Sequence, residues 1–457
     1  MRLICYTEGA DIKFFDLLIS GAGISGLISG IRAQQMGLSS IIIEKQKKFT
    51  ETLKGEYIQP VGLRVLEKMG ISESIESKGI PVFTLPHYYF LISPFKKSRI
   101  VDFYYPNDLG FPDHALAIPH LELKNELLKI YSELGGVIYM DSLIEEINDS
   151  SLGNVMVKTK TKDRIEVIYT GHIVVSEGVM SLTAKKINAR WIDDPLSASY
   201  MIGGVATKDT VPAGKFITAQ SREGLVCAFK ISPDVTRVYL YKEVGRGGDN
   251  PFRERRPESY LKSAIQSSGI VDQFADAEFD RRIMAAPYIP RYCRTPSMGR
   301  ITLTGDSAGA SHPLGGYGMS TAAYDGVKIA ELFNDLKTGN LTEAELNRQY
   351  NDARRRHYLT AKFTSEAISF IFGGASKRSR TVHRVCVRMW STQKESMKFC
   401  GKLFGGMLTN PLSLNDFLKV WGIKTDLSVV PWSQDIPRLF YGSRRLSPGK
   451  LLSEMMR

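Results

Sequence analysis

Leu17-Leu18-Ile19-Ser20-Gly21-Ala22-Gly23-Ile24-Ser25-Gly26, followed by Ile41-Ile42-Ile43-Glu44, is the stretch that decides the fold. An apolar run enters a three-glycine turn, a helical stretch follows, and a second apolar run ends in an acid. Strand, turn, helix, strand and acid together form a dinucleotide fingerprint in its full context, which a lone G-x-G-x-x-G does not. Gly21 allows a tight turn, Gly23 lets the backbone approach a pyrophosphate, and Gly26 lets the helix pack closely on the sheet. The helix N-terminus, where Ser25 sits, offers unpaired N–H groups and a positive dipole end to phosphates. Glu44, with Lys45 beside it, is placed to accept hydrogen bonds from a ribose 2′-OH, and an acid there disfavours a 2′-phosphate. These residues point to FAD or NAD(H).

The far end of the chain chooses between them. Arg300-Ile301-Thr302-Leu303-Thr304-Gly305-Asp306-Ser307-Ala308-Gly309 is a short β-branched strand running into Gly-Asp. His312-Pro313-Leu314-Gly315-Gly316-Tyr317-Gly318-Met319-Ser320 then opens a helix. This pair resembles the Gly-Asp motif of FAD-dependent monooxygenases of the para-hydroxybenzoate hydroxylase type. The resemblance implies that Gly305 and Asp306 hold the ribitol of FAD, and that Pro313, Gly316, Gly318 and Met319 run beside the isoalloxazine.

Within that family the chain is most similar to the squalene monooxygenases. Gly55-Glu56-Tyr57-Ile58-Gln59-Pro60-Val61-Gly62 and His312-Pro313-Leu314 carry the likeness, with weaker support from Tyr350, Ala353-Arg354-Arg355 and Asn410-Pro411-Leu412. It covers most of residues 14–420. Bacterial quinolone hydroxylases of the same superfamily also resemble residues 55–70. Two departures stand out. The family's Asp-Gly motif, which lies near both cofactors, is here Glu177-Gly178-Val179-Met180-Ser181. The arginine often found on the helix after residue 118 is replaced by His120 or Glu122, leaving Lys54 or Arg64 as substitutes.

The resemblance implies an α/β fold: a discontinuous Rossmann-like FAD-binding domain (14–80, 119–195 and 291–340), an inserted β-sheet substrate domain (81–118 and 196–290), and a helical C-terminal region (341–457). The residue pattern itself shows strand-rich inserts between the cofactor motifs. At 457 residues the chain suits one large core or two closely joined domains. Five scattered cysteines without a C-x-x-C pair point to a reducing compartment and no disulfide framework, and neither they nor the few histidines suggest a metal site. A cytoplasmic placement is expected, because no secretory signal and no run of about eighteen apolar residues is visible.

The net charge of +12 is diffuse and does not read as a nucleic-acid footprint. It concentrates only at residues 377–402, where Lys377, Arg378, Arg380, Arg384, Arg388, Lys394, Lys398 and Lys402 interleave with Val382, Val385, Cys386, Met389 and Trp390. That stretch is either a membrane-surface contact or a helix packed on the body with a solvated basic face.

No nucleophile elbow or Ser/His/Asp set appears, so the chemistry falls to the flavin. By resemblance, NADH or NADPH supplies electrons and O2 supplies one oxygen atom. Gln59 is the candidate polar contact over the flavin face, with Tyr88 or Tyr89 as its partner. Aromatics of the insert (Tyr88, Phe90, Phe103, Tyr104, Phe216, Phe229, Tyr239) suit a large lipophilic substrate, an isoprenoid, polyene or prenylated aromatic. Epoxidation is the expected reaction. Aromatic or quinolone hydroxylation, and isoprenoid saturation as in geranylgeranyl reductases, are the alternatives.

Overall fold

The structure is a computed structural model that describes residues 13–406, apart from 52–54, 91–97, 108–109, 150–153, 162–163, 194–198, 244–255, 281–282, 289, 373–382, 384–385, 388–389 and 391–393. Its first sheet is built on the fingerprint. In spatial order it runs Ser297–Met298, Ile301–Leu303, Arg164–Val175, Lys13–Ser20, Ser40–Ile43, Val137–Tyr139. The last five strands are mutually parallel, while Ser297–Met298 and the ribbon Ser142–Asp149/Val155–Thr161 add antiparallel edges. Strands buried on both faces need continuous apolar runs, and Leu17, Leu18, Ile19, Ile41, Ile42, Ile173 and Val174 are all fully buried. The order reverses between Lys13–Ser20 and Arg164–Val175. A crevice therefore opens at their carboxyl ends, where ligands bind in open α/β sheets.

A second sheet runs Glu278–Phe279, Ser199–Thr207, Val235–Glu243, Leu225–Ser232, Ile217–Gln220, Thr84–Phe90, Ser98–Tyr104, with Met284–Tyr288 beside Ser199–Thr207. One face packs on the helix Pro257–Gln266 through Ile202, Val226, Leu240 and Leu261. The other packs Phe103, Phe229 and Tyr241 against Phe372, Trp390 and Leu403 of the C-terminal helical region. A small sheet of Tyr57–Ile58, Ala115–Ala117 and Ile80–Val82 ties the segment before residue 80 to the end of the insert. The helix Glu343–Phe372 serves both cores, with Leu346 and Tyr350 in the first and Ile368 and Phe372 in the second.

Period-2 alternation decides the fate of the expected substrate-wall aromatics. Phe103, Phe229 and Tyr239 turn inward. Tyr104 does not: it is 41% exposed on the opposite side of its strand, so it lines no interior wall. Most of the basic side chains of 377–402 lie outside the described residues. Cys386, Trp390 and Cys400 from that stretch are buried against the second sheet, which favours packing on the body. Among the described residues no helix is long and apolar enough to cross a membrane.

Four histidines are held neutral by burial. It pushes His172 and His312 down to about 3 and His357 to about 4, and His87 well below 6.5. An unfolded chain takes up these protons near pH 6.5, so the stability tied to neutrality is complete above that value and lost progressively below it. Asp325, raised by burial to about 6, offsets part of the loss, because the native state binds its proton first. Denaturant titrations at pH 7.5 and 5.5 should differ by on the order of 4 kcal/mol, with the acidic sample weaker. Equal stabilities would mean that these imidazoles are hydrated.

Candidate cofactor and active site

Three motifs meet at the carboxyl ends of adjacent strands. Ser176 N–H donates to Ser20 C=O at 2.7 Å, and Thr304 N–H to Val175 C=O at 2.9 Å. A Cβ on Gly21 or Gly23 would lie 2.7 or 2.8 Å from the Ser176 carbonyl oxygen, and one on Gly26 only 2.2 Å from that of Gly21. Gly21, at φ +95°, also needs glycine for its backbone. The glycines are thus required by the meeting of strand ends as well as by any phosphate.

The helix Ile24–Gln35 starts with no side-chain cap and no acid in its first turn, and the Ser25 hydroxyl is buried with no hydrogen-bond partner. Gly318 has no heavy atom within 4 Å of its Cβ position. An uncapped positive helix end, an orphaned hydroxyl and an open glycine beside the second motif fit an anionic, extended dinucleotide.

The acids act first on the protein itself. Glu44 is buried and accepts from Ala22 N–H at 2.7 Å and Gln46 N–H at 2.9 Å, holding the turn, while Lys45 is exposed. Glu177 accepts from the Ser20 hydroxyl, the Thr183 hydroxyl, Ser181 Oγ at 2.8 Å and Thr183 N–H at 2.9 Å. Burial alone would raise its pKa, but these bonds outweigh burial and hold the carboxyl below its usual range. Gly178 C=O accepts from Ser307 Oγ at 3.2 Å, which joins this loop to the Gly305–Ser307 turn. Asp306 is half-buried in that turn.

The Glu56–Gln59 segment and the Pro313–Gly316 loop also meet. Gln59 donates from Nε2 to Gly315 C=O at 3.0 Å and accepts from the Tyr105 hydroxyl at 3.1 Å, and Tyr105 bonds Tyr57 at 2.8 Å. Gly316 is left-handed at φ +67°, and Met319 is buried just beyond it. Pro313 begins the short turn that His312 caps, its Nδ1 accepting from Leu314 N–H at 3.2 Å.

The expected partners of Gln59 need correction. Tyr88 lies on the other face of its strand, among the cluster under Pro257–Gln266, and accepts from Gln273. Tyr89 is buried on the face that includes Tyr105, stacked on His87, but the hydroxyl that donates to Gln59 is that of Tyr105. Glu56 is buried in a two-pronged ion pair with Arg237 of the second sheet. Burial opposes the charge of Arg237, and Glu56 outweighs it. Of the proposed replacements for the missing arginine, Arg64 is half-buried and paired with Glu67 at 3.1 Å, and Lys54 lies outside the described residues. His120 bonds Gly55 C=O at 3.3 Å, and Glu122 is exposed.

Sequence reasoning missed Tyr105, which follows directly on the strand Ser98–Tyr104 and which the aromatic alternation there did not distinguish from its neighbours. It also missed Asp325. With Arg354, Asp325 forms a buried ion pair at 2.9 Å behind the Gly305 turn.

Residues 15–362 match the family described as "FAD binding domain". The chain is 23% identical to "Squalene epoxidase erg1" of Aspergillus fumigatus, over 87% of this chain and 82% of that one. It is 23% identical to "Squalene monooxygenase" of Rattus norvegicus, over 88% and 68%. Its fold matches p-nitrophenol 4-monooxygenase PnpA from Pseudomonas putida, with a TM-score of 0.72 at 15% identity, over 91% and 100%. FAD is therefore the cofactor, and the residues above fit it.

Asp306→Ala should weaken FAD retention roughly ten- to a hundredfold, the worth of a charge-assisted hydrogen bond of about 1.5–3 kcal/mol. Gln59→Ala should keep FAD within a few-fold and shift the visible flavin spectrum, because it frees the Gly315 loop. Flavin-to-protein absorbance ratios after gel filtration check both. Equal flavin loss in the two variants would contradict this division.

Proposed function

The chain belongs to the FAD-binding-domain family, and from that premise we propose that it is a monooxygenase that uses NADH or NADPH and O2 to epoxidise a large apolar alkene of isoprenoid or polyene type. The observation that carries this reading is the Gln59–Gly315 bond. It joins the two segments, 55–62 and 312–319, in which the chain is most similar to squalene monooxygenases, and the curated squalene epoxidases align over most of their length.

Bound FAD supplies the electron transfer from the nicotinamide and the activation of O2. This chain's residues would then hold, orient and dry the site. Gly21, Gly23 and Ser25 would face the pyrophosphate, with Gly26 seating the helix on the sheet, Glu44 would face the ribose and Asp306 the ribitol. Glu177 and Gly178 brace the strand ends between them. Gln59, fixed by Tyr105 and Gly315, sets the polar edge of the reaction space. Beside it Tyr57 packs on Phe216 and Phe229 at 4.6 and 5.5 Å between ring centres. Such a wall would exclude water and favour a hydrocarbon substrate. Contact of residues 377–402 with a membrane surface would bring a lipophilic substrate within reach.

Incubating the purified protein with NADH or NADPH, squalene and 18O2 tests the reading. One 18O atom per product molecule and nicotinamide oxidation that stops without O2 are expected. Nicotinamide oxidation that continues under argon, with a product two hydrogens heavier, would replace epoxidation with isoprenoid saturation.

A further inference from the structure

The Gly305–Ser307 turn is gripped from behind by two helices. Asp325, on Gly318–Lys337, and Arg354, on Glu343–Phe372, are each 1% exposed. One carboxylate oxygen of Asp325 accepts from Gly305 N–H at 2.8 Å. Nη2 of Arg354 donates to Gly305 C=O at 3.1 Å and to Gly309 C=O at 2.8 Å. The pair therefore holds both polar groups of one glycine and ties the two ends of the 305–309 loop together.

That glycine is in the left-handed region at φ +55°. Its neighbour Asp306 takes its direction from this turn. On the other side the turn lies against Ser25: a Cβ on Gly305 would be 3.3 Å from the Ser25 Cβ. The grip thus sets the spacing between the Gly-Asp turn and the uncapped end of the fingerprint helix.

A buried ion pair is a poor device for stability alone, because desolvating two charges costs about as much as their attraction returns. Asp325 Oδ1 and Arg354 Nη1 have no hydrogen-bond partner among the described residues, so the pair is not optimised for its own satisfaction. Its well-formed bonds all go to one turn. We propose that Asp325 and Arg354 are positioning residues that preset the Gly305–Gly309 turn, and with it Asp306, for FAD before the cofactor arrives. The proposal rests on the FAD assignment and is independent of the substrate.

Arg354→Lys and Arg354→Met separate presetting from charge compensation. Lys keeps a positive charge but has a single nitrogen, whereas Arg354 faces Asp325 with Nε while Nη2 donates to both carbonyls. In full-length holoprotein diluted to sub-micromolar concentration, recovery of flavin fluorescence reports FAD release. Release at least tenfold faster than wild type is expected for both variants, with the melting temperature of Arg354→Lys near the wild-type value and that of Arg354→Met well below it. Wild-type release from Arg354→Lys would overturn the proposal, leaving a pair that only balances charge.

A measurement without substitution stands beside it, should the variants not fold. Amide hydrogen exchange of the wild-type chain, with and without FAD, should show residues 303–310 equally protected in both. Protection that appears only with FAD would mean the turn is moulded by the cofactor. Failure of the wild-type chain to bind FAD would instead refute the cofactor assignment itself.

Discussion

The molecule depends on the approach of the Ser176 carbonyl to the fingerprint turn. Lys13–Ser20 and Arg164–Val175 are parallel neighbours in register, Ser20 beside Val175, so Gly21 and Ser176 leave the sheet together. Any side chain at position 21 or 23 would occupy the space of that carbonyl. With glycine there, the turn closes, the helix Ile24–Gln35 starts beside the strand ends, and Ile301–Leu303 can deliver the Gly-Asp turn to the same place. Close packing of backbone, rather than any single side chain, produces the cofactor cradle. The lack of a cap at the helix start then leaves its positive end for phosphate.

The acids of the motifs share a common duty. Glu44 binds backbone N–H groups of the turn, Glu177 gathers four donors at the strand end, and Glu56 clasps Arg237 across the two sheets. Buried carboxylates must find donors or lose their charge. Here the donors are protein groups of the fingerprint turn, of the strand ends and of the second sheet. Glu177 shows why the longer side chain is compatible with the site: it reaches Ser20 in one strand and Thr183 in the following helix.

Much of this was legible in the sequence because it is local. The strand–turn–helix of residues 17–35, the hairpin at Thr161 and Arg164, and the helices Gly318–Lys337 and His120–Glu133 follow from periodicity and glycine placement. What was not legible depends on pairs far apart in the chain. Tyr88, Tyr89 and Tyr105 are alike as letters, and only the pleat and the Thr84–Phe90/Ser98–Tyr104 hairpin decide which reaches Gln59. Asp325 sits in a helix whose pattern reads as ordinary packing. Its meaning lies in contacts with Gly305 and Arg354 that no spacing rule announces. Of the aromatics expected to line a substrate wall, Tyr104 faces outward, Tyr88 packs under Pro257–Gln266, and Phe103, Phe216, Phe229 and Tyr239 belong to the cluster that meets the C-terminal helices.

A crystal structure of the FAD-loaded full chain tests the central claim most directly, namely that one dinucleotide spans the ends of four neighbouring strands, Ser40–Ile43, Lys13–Ser20, Arg164–Val175 and Ile301–Leu303. Difference density is expected to place the adenosine ribose at Glu44, the pyrophosphate at the start of Ile24–Gln35, the ribitol at Asp306 and the ring system between Gln59 and the Pro313–Gly318 loop. Density for the dinucleotide elsewhere, or a pyrophosphate that leaves Ser25 and the helix start empty, would contradict the account.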